Sequence, residues 1–241
     1  MLPNPSYTLF MLLSLAVFLI ARRLQPRTPG LDRLGRRERT LLALAAFIGG
    51  VFAAKLPFVN TDADWLTALW LRDGKTLTTG LVGAYLGVEI AKLALGIRVK
   101  TGDSFALPLA IALTVGRWGC FCNGCCFGQP TDLPWSVEFE GVARHPTQIY
   151  ESGFHLAMAM VLCQLLRGAW LRTHRLQLYL IAYCAYRFVT EWIRPEPAAF
   201  LGLTFYQGVT VVFAAALIGQ WVWETCRAEN SAAARSLVVS N

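Results

Sequence analysis

The sequence predicts an all-α integral membrane protein of seven transmembrane helices, with the N-terminus outside, the C-terminus cytoplasmic and small external loops. Three observations carry that prediction. The 241 residues are 55% hydrophobic, with a mean hydropathy of +0.46, and only 15% are charged, where a soluble domain carries about 25%. Seven apolar runs, near 5–21, 41–59, 77–97, 104–121, 147–166, 176–193 and 203–223, are long enough to cross a bilayer as helices. The basic residues between these runs collect in loops that alternation puts on one side.

The first run is preceded by "MLPNPSY", which has no basic residue, and followed by "RRLQPRTPGLDRLGRRER", which has seven arginines. That is the reverse of signal-peptide polarity, so the run is expected to remain as a helix. By the positive-inside rule the arginine-rich loop is cytoplasmic. Alternation then places "IRVKTGD" and "RGAWLRTHR" inside as well, and the loops at 60–76 and 122–146 outside. The net charge of +7 is thereby a matter of topology, and no nucleic-acid partner is expected. Residues 1–228 form one membrane domain on this reading, and the Ala/Ser-rich residues 229–241 a flexible cytoplasmic tail.

Charges within the apolar runs are costly and usually face a polar cavity or one another. In the third run, Glu89 and Lys92 stand three residues apart near the inner end, where snorkelling accounts for them. The same run places Gly80, Gly83 and Gly87 along one helix. They fit either close helix packing or a backbone approach to a lipid headgroup. In the fourth run Arg117 stands one to two turns before the external end. In the sixth, Tyr183, Arg187 and Glu191 are spaced four apart and share a face. Arg187 and Glu191 form an ion pair on this spacing. Two guanidinium groups at the outer-leaflet level of one bundle suit phosphate oxygens, so an anionic phospholipid headgroup is the expected ligand.

The external loop between the fourth and fifth runs begins "GRWGCFCNGCCFG" and reaches "TDLPWSVEF", an extended aromatic stretch expected to form a strand or hairpin at the membrane surface. It ends in "RHPTQIYES", where the His145-Pro146 step marks the start of the fifth helix, Thr147 is a candidate N-cap and Glu151 is available to the first turn. The four cysteines at 120, 122, 125 and 126 face an oxidising compartment on this topology. Their C-x-C-x-x-C-C spacing lacks the two separated pairs of a four-cysteine zinc site. A local disulfide, packed free thiols, a metal and a reactive thiol all remain open readings, and no metal or other cofactor is expected. Cys163, Cys184 and Cys226 read as residues of the helices or the inner face.

The segments "GRWGCFCNGCCFGQPTDLPWSVEF", "RHPTQIYE", "YRFVTEWIRPEP" and "LGLTFYQ", in this order, resemble the prolipoprotein diacylglyceryl transferase family over most of the chain. The resemblance implies a bacterial multi-pass enzyme of the cell (inner) membrane. Its active site would face the outer leaflet and periplasm, and it would act in the lipid bilayer. Its substrates would be phosphatidylglycerol and prolipoproteins, whose lipobox cysteine receives the diacylglyceryl group as glycerol phosphate leaves. Carried over by motif, Arg117 and Arg187 look like the phosphate-binding and essential arginines, with Tyr183 and Glu191 as their neighbours. Tyr7 looks like the tyrosine near the start of the first helix. Gly119, Asn123, Gly124 and Gly128 keep the frame of the signature loop, and Asp103 fits the pattern before the fourth helix. With Gly80 and Gly83 these are the expected substrate-binding residues.

The chain departs from the family at three polar positions. Thr78-Thr79-Gly80 stands where the family has His-Gly-Gly, Cys120 where it has Asn, and Cys125 where it has Glu. The family's candidate base is thereby missing, and His145 is the expected substitute. The alternatives are a related membrane lipid transferase with another acceptor, or a phospholipid-binding relative without catalysis.

Overall fold

The structure is a computed structural model, which describes residues 4–25, 31–58 and 76–239. The described residues form seven α-helices: α1 (Pro5–Leu24), α2 (Arg36–Lys55), α3 (Leu77–Ala94), α4 (Asp103–Cys122), α5 (Thr147–Arg167), α6 (Arg175–Thr190) and α7 (Phe205–Val239). Each apolar run of the sequence has become one of them. Five, all but α2 and α6, are long and apolar enough to cross a membrane. The helix α7 continues to Val239, through the residues expected to form a flexible tail. The expected external loop at 60–76 lies, apart from its last residue, outside the described residues.

The distribution of polarity is inverted relative to a water-soluble protein. On α1 nothing is buried, and Leu9, Leu12, Leu15 and Ile20 all stand half exposed or more. Such an apolar surface is stable only against lipid or a partner. The fully buried side chains include Gln148, Glu151, His155 and Glu191. Polar groups withdrawn from hydrocarbon have been gathered into the bundle interior, where they can satisfy one another.

Helix packing is pairwise: α1 lies on α4, α2 on α3, α5 on α4 and α7 on α6. Glycine sets the α2–α3 contact. A Cβ at Gly83 would collide with the Ala53 Cβ and the Gly49 carbonyl oxygen. One at Gly80 would meet Ala54 and Gly50, and one at Gly87 the Ala45 carbonyl. Close packing therefore accounts for all three glycines. Gly80 and Gly83, expected to approach a headgroup, turn their Cα faces to α2 instead.

The surface stretch after α4 is a hairpin, as its aromatic, extended sequence predicts. Val137–Phe139 (β1) pairs antiparallel with Val142–Arg144 (β2), Val137 opposite Arg144 and Phe139 opposite Val142. Glu140 and Gly141 form its two-residue turn, both at positive φ, the backbone twist that such a hairpin demands. A second short pair, Ala198–Phe200 (β3) with Leu203–Thr204 (β4), leads into α7.

Candidate active site

The C-terminal end of α4 is built by a helix-termination motif. Gly124, at φ 63°, donates to the Phe121 carbonyl at 3.0 Å, and the Cys125 N–H to the Cys120 carbonyl at 3.1 Å. This is the Schellman arrangement, which requires a left-handed residue after the cap, and glycine supplies it without steric cost. Asn123 is the C-cap, and its side-chain oxygen faces the Asn4 N–H at 3.4 Å while Asn4 Nδ2 donates to the Cys122 carbonyl. The loop is thus tied to the start of α1. Gly119 permits α1 to approach, since a Cβ there would stand 2.8 Å from Met11 and 3.0 Å from Phe10. The Tyr7 phenol is within electrostatic reach of Arg117 and of Cys120, Cys125 and Cys126.

The loop then docks onto α5 and onto the end of α6. A Cβ on Gly128 would lie 2.6 Å from the Ile193 carbonyl oxygen, 2.7 Å from the His145 Cβ and 2.9 Å from the Thr147 methyl. Three chain segments meet there, and only glycine fits. Thr147 does not cap α5, whose N-cap is Pro146. Its hydroxyl donates instead to the Cys126 carbonyl at 2.5 Å, and Gln148 Nε2 to the Cys125 carbonyl at 2.6 Å. Gln129 completes the docking by donating from Nε2 to the Arg194 carbonyl at 2.9 Å.

These contacts converge on Glu151, which is fully buried. One carboxylate oxygen accepts from Arg117 Nη2 at 2.6 Å and from the Tyr183 hydroxyl at 2.9 Å; the other accepts from Arg194 Nη2 at 3.0 Å. Glu151 therefore does not serve its own helix's first turn, as its sequence position suggests. It balances two arginines from different elements. His155, one turn further along α5, stacks on Tyr183 with ring centroids 5.4 Å apart and meets the Tyr179 hydroxyl at 2.8 Å. Its Nε2 lies 3.9 Å from Glu151 and has no hydrogen-bond partner.

A second ion pair adjoins the first. Arg187 Nη2 lies 2.9 Å from Glu191, which sits in the 3-10 turn Glu191–Ile193 that continues α6. Thr204 donates to the other Glu191 oxygen at 3.0 Å, and the Arg187 guanidinium stands 5.6 Å from the Tyr206 ring centroid. Gln207 holds this corner, accepting from the Thr204 N–H and donating to the Phe188 carbonyl. Charges are thus grouped here: Arg117, Arg187 and Arg194 against Glu151 and Glu191, with the half-buried Glu196 also acting on Arg187 and Glu191. The Nε groups of Arg187 and Arg194 are buried donors without partners. Partly unpaired guanidinium in a water-poor bundle is the electrostatic complement of a bound anion.

Some sequence-predicted residues lie elsewhere. Asp103 is at the opposite end of α4, 14 residues from Arg117, or about 21 Å along the helix. Its carboxylate accepts the N–H groups of Thr173 and Arg175 at 2.5 and 2.9 Å and anchors the start of α6. That is the work of a helix-end anchor, and it sets Asp103 apart from the Arg117 cluster, at the far end of the apolar cavity that it helps to line. His145 is paired by its backbone to Gly128 and Gln129 and faces the Tyr150 hydroxyl at 3.4 Å, which also accepts from Trp135 Nε1. It belongs to the hairpin end of the loop rather than to the Glu151 cluster. Glu89 and Lys92 form the ion pair their spacing predicts, at 2.9 Å.

All seven cysteines are free. The Sγ atoms of Cys120, Cys125 and Cys126 lie within 4.8 Å of one another, and Arg117 Nη1 is 3.9 Å from Cys120 Sγ. Hydrogen bonding with the Cys120 and Cys125 thiols holds the Cys126 thiol below its ordinary value, against the opposing effect of burial. A separate apolar cavity of about 540 Å3 opens among α1, α2, α3, α4 and α6, lined by Phe18, Leu42, Ala84, Leu109 and Leu180. Lys92 and Lys100 rim it at the α4 N-terminal end. Leu180 is one helical turn from Tyr183 on α6, so one wall of this cavity leads toward the charged cluster.

The family described as Prolipoprotein diacylglyceryl transferase matches residues 3–223 of the chain. The chain is 32% identical over 221 residues to a phosphatidylglycerol--prolipoprotein diacylglyceryl transferase of Polynucleobacter asymbioticus, covering 82% of this chain and 80% of the relative. It is 30% identical over 220 residues to the like-named protein of Cupriavidus metallidurans, covering 82% and 78%. With that of Clostridium tetani it shares 29% identity over 195 residues, 76% of each. No solved structure matches.

Proposed function

We propose the activity of this protein from one premise: the chain belongs to the prolipoprotein diacylglyceryl transferase family. It transfers the diacylglyceryl group of phosphatidylglycerol to the cysteine thiol of a prolipoprotein. The sulfur bonds to the terminal glyceryl carbon, the bond from that carbon to the phosphate oxygen breaks, and glycerol phosphate leaves. The observation that carries this reading is the cluster of Arg117, Arg187 and Arg194 around Glu151 and Glu191, in which two guanidinium groups keep an unpartnered Nε.

Negative charge grows on the phosphate as the carbon–oxygen bond breaks. Preorganised guanidinium donors meet that charge without reorganising, which is the strongest stabilisation such a site can offer its transition state. Arg187 and Arg194 offer their unpartnered Nε groups, and Arg117 is aimed by Glu151. Tyr183 donates to Glu151 and so positions the arginines, and His155 acts by stacking on Tyr183. The apolar cavity beneath Tyr183 suits the lipid's acyl chains, which point toward the bilayer centre while the headgroup stays at the outer level. Asn123, Gly119, Gly124 and Gly128 hold the loop in register and Tyr7 closes the α1 side.

The basic segments support a seven-span bacterial inner-membrane topology with the Arg117 cluster at the periplasmic side. Exposed cysteines at opposite ends of the bundle test it. A membrane-impermeant maleimide applied to spheroplasts is expected to label Cys122 and to spare Cys226, both of which are exposed. Labelling of Cys226 alone would invert the topology. The activity itself is tested in a bacterium depleted of its own transferase. Expression of this chain is expected to restore lipid modification of a reporter prolipoprotein. Continued accumulation of the unmodified precursor, with the chain present in the membrane, would contradict the assignment.

A further inference from the structure

We propose that Cys120, Cys125 and Cys126 form a three-thiolate site for a thiophilic d10 cation of the Zn2+ class, with its fourth position open to the acceptor's thiol. The site follows from how α4 ends. A Schellman motif brings its C″ residue against C3, usually as an apolar contact. Here C″ is Cys125 and C3 is Cys120, so the motif apposes two sulfurs. Cys126 follows at φ 64°, a left-handed conformation that a cysteine rarely adopts, and its Sγ stands 3.8 Å from that of Cys125. The carbonyls of both residues are pinned to α5 by Gln148 and Thr147. The backbone is thereby fixed in the form that groups the thiols.

The geometry suits a shared cation. Thiolates bound at about 2.3 Å around a tetrahedral zinc stand about 3.8 Å apart, the separation the Cys125–Cys126 pair already has. The third sulfur is within 4.8 Å of both. A disulfide needs sulfurs at about 2.05 Å. Three thiolates and a divalent cation sum to one negative charge, and Arg117 Nη1 lies 3.9 Å from Cys120 Sγ to balance it. Soft thiolate ligands select this class of metal. The C-x-C-x-x-C-C spacing hides the site, because the helix end, and not two separated pairs, does the gathering. Cys122 is exposed and is not one of the three.

Three protein ligands leave a fourth position for solvent or substrate. A thiol that coordinates there loses its proton to solvent and becomes a thiolate nucleophile. Arg117 touches both the metal-binding Cys120 and the Glu151 cluster, so a sulfur held at the metal faces the group that leaves. This assigns thiol activation in a chain with Thr78 where the family has histidine. The fourth-ligand half rests on the function proposed above; metal binding by the three thiols does not.

The test uses the full chain, purified reduced in detergent and loaded with Co2+ as a spectroscopic probe and with Zn2+ for stoichiometry. One equivalent of tightly held Zn2+ is expected, with a cobalt–thiolate charge-transfer band. C120S, C125S and C126S should each lose both, while C122S keeps them. Addition of a lipobox peptide should shift the cobalt visible bands toward four-sulfur coordination, and the same peptide with Cys→Ser should not. Absence of stoichiometric metal in the reduced protein, a band that survives all three serine variants, or an intramolecular disulfide among the three in protein isolated under alkylating conditions overturns the site. Metal bound without a peptide-dependent shift overturns the fourth-ligand assignment. Metal and peptide bound without glycerol phosphate release indicts the transfer reaction instead.

Discussion

Replacement of Glu151 by glutamine is expected to abolish transfer and to destabilise the fold. The carboxylate is fully buried and takes three hydrogen bonds, from Arg117, Tyr183 and Arg194. Glutamine keeps the shape but carries no charge, and one end of its amide presents donors where the arginines also donate. Two guanidinium groups from different elements then lose their counter-charge. Removing one partner of a buried ion pair costs about 3–5 kcal/mol, most of it from the charge left behind. In a small membrane domain that is a large share of the total stability. Thermal unfolding in detergent should show a clear fall in Tm, and glycerol phosphate release should stop. Aspartate, which keeps the charge on a shorter arm, should recover part of the Tm and little of the turnover. A Gln variant with unchanged Tm and turnover would remove Glu151 from its central place.

Substitution of Arg187 by alanine is expected to lose turnover and, because it leaves Glu191 buried without its arginine, to lower stability as well. Arg187 pairs with Glu191, but Glu191 keeps the Thr204 hydroxyl when the arginine is gone. On the proposed function, the missing group is a donor to the phosphate as its charge develops. Deleting one preorganised donor of this kind costs about 10²–10³-fold in turnover, and phosphate held by a bidentate fork depends on it more heavily. Lysine should recover only a fraction, because an ammonium is a point charge without the planar fork. The comparison to make is turnover against phosphatidylglycerol binding. Loss of turnover with binding partly retained supports a role in the transition state. Wild-type turnover in Arg187→Ala removes the residue from the chemistry.

The helices are legible in the sequence because lipid imposes a simple rule on it. A span must be long and apolar, so every run of that kind became a helix, and even the start of α5 at the His145-Pro146 step is where the chain can no longer continue an earlier helix. The ends are less legible where charge enters. α2 begins at Arg36, five residues before its apolar run, and α6 gives way to a 3-10 turn at Glu191.

The charged cluster is legible only where its parts are local. Tyr183, Arg187 and Glu191 lie at helical spacing, and the Arg187–Glu191 pair follows from that. The role of Glu151 is hidden because its partners are remote in sequence, Arg117 34 residues before it and Arg194 43 after. Pattern reading assigns a glutamate near a helix start to its own helix. Arg194 and His155 escape sequence reasoning for the same reason, though the charge rule for membrane helices marks an imidazole inside the fifth run as a residue to explain. Asp103 shows the converse: a motif match groups it with the substrate-binding residues, and its hydrogen bonds, which no motif displays, tie it to the N-terminus of α6.

The central claim is that the arginine cluster and its loop cleave phosphatidylglycerol when, and only when, a cysteine acceptor is present. The direct measurement is release of glycerol phosphate by the purified, metal-replete protein in detergent, with a lipobox peptide and with the same peptide carrying serine in place of cysteine. Release with the cysteine peptide alone is the predicted result, accompanied by a diacylglyceryl mass increment on that peptide. Protein that binds phosphatidylglycerol but releases nothing with either peptide would contradict the claim, and would leave the chain a phospholipid-binding member of a transferase family.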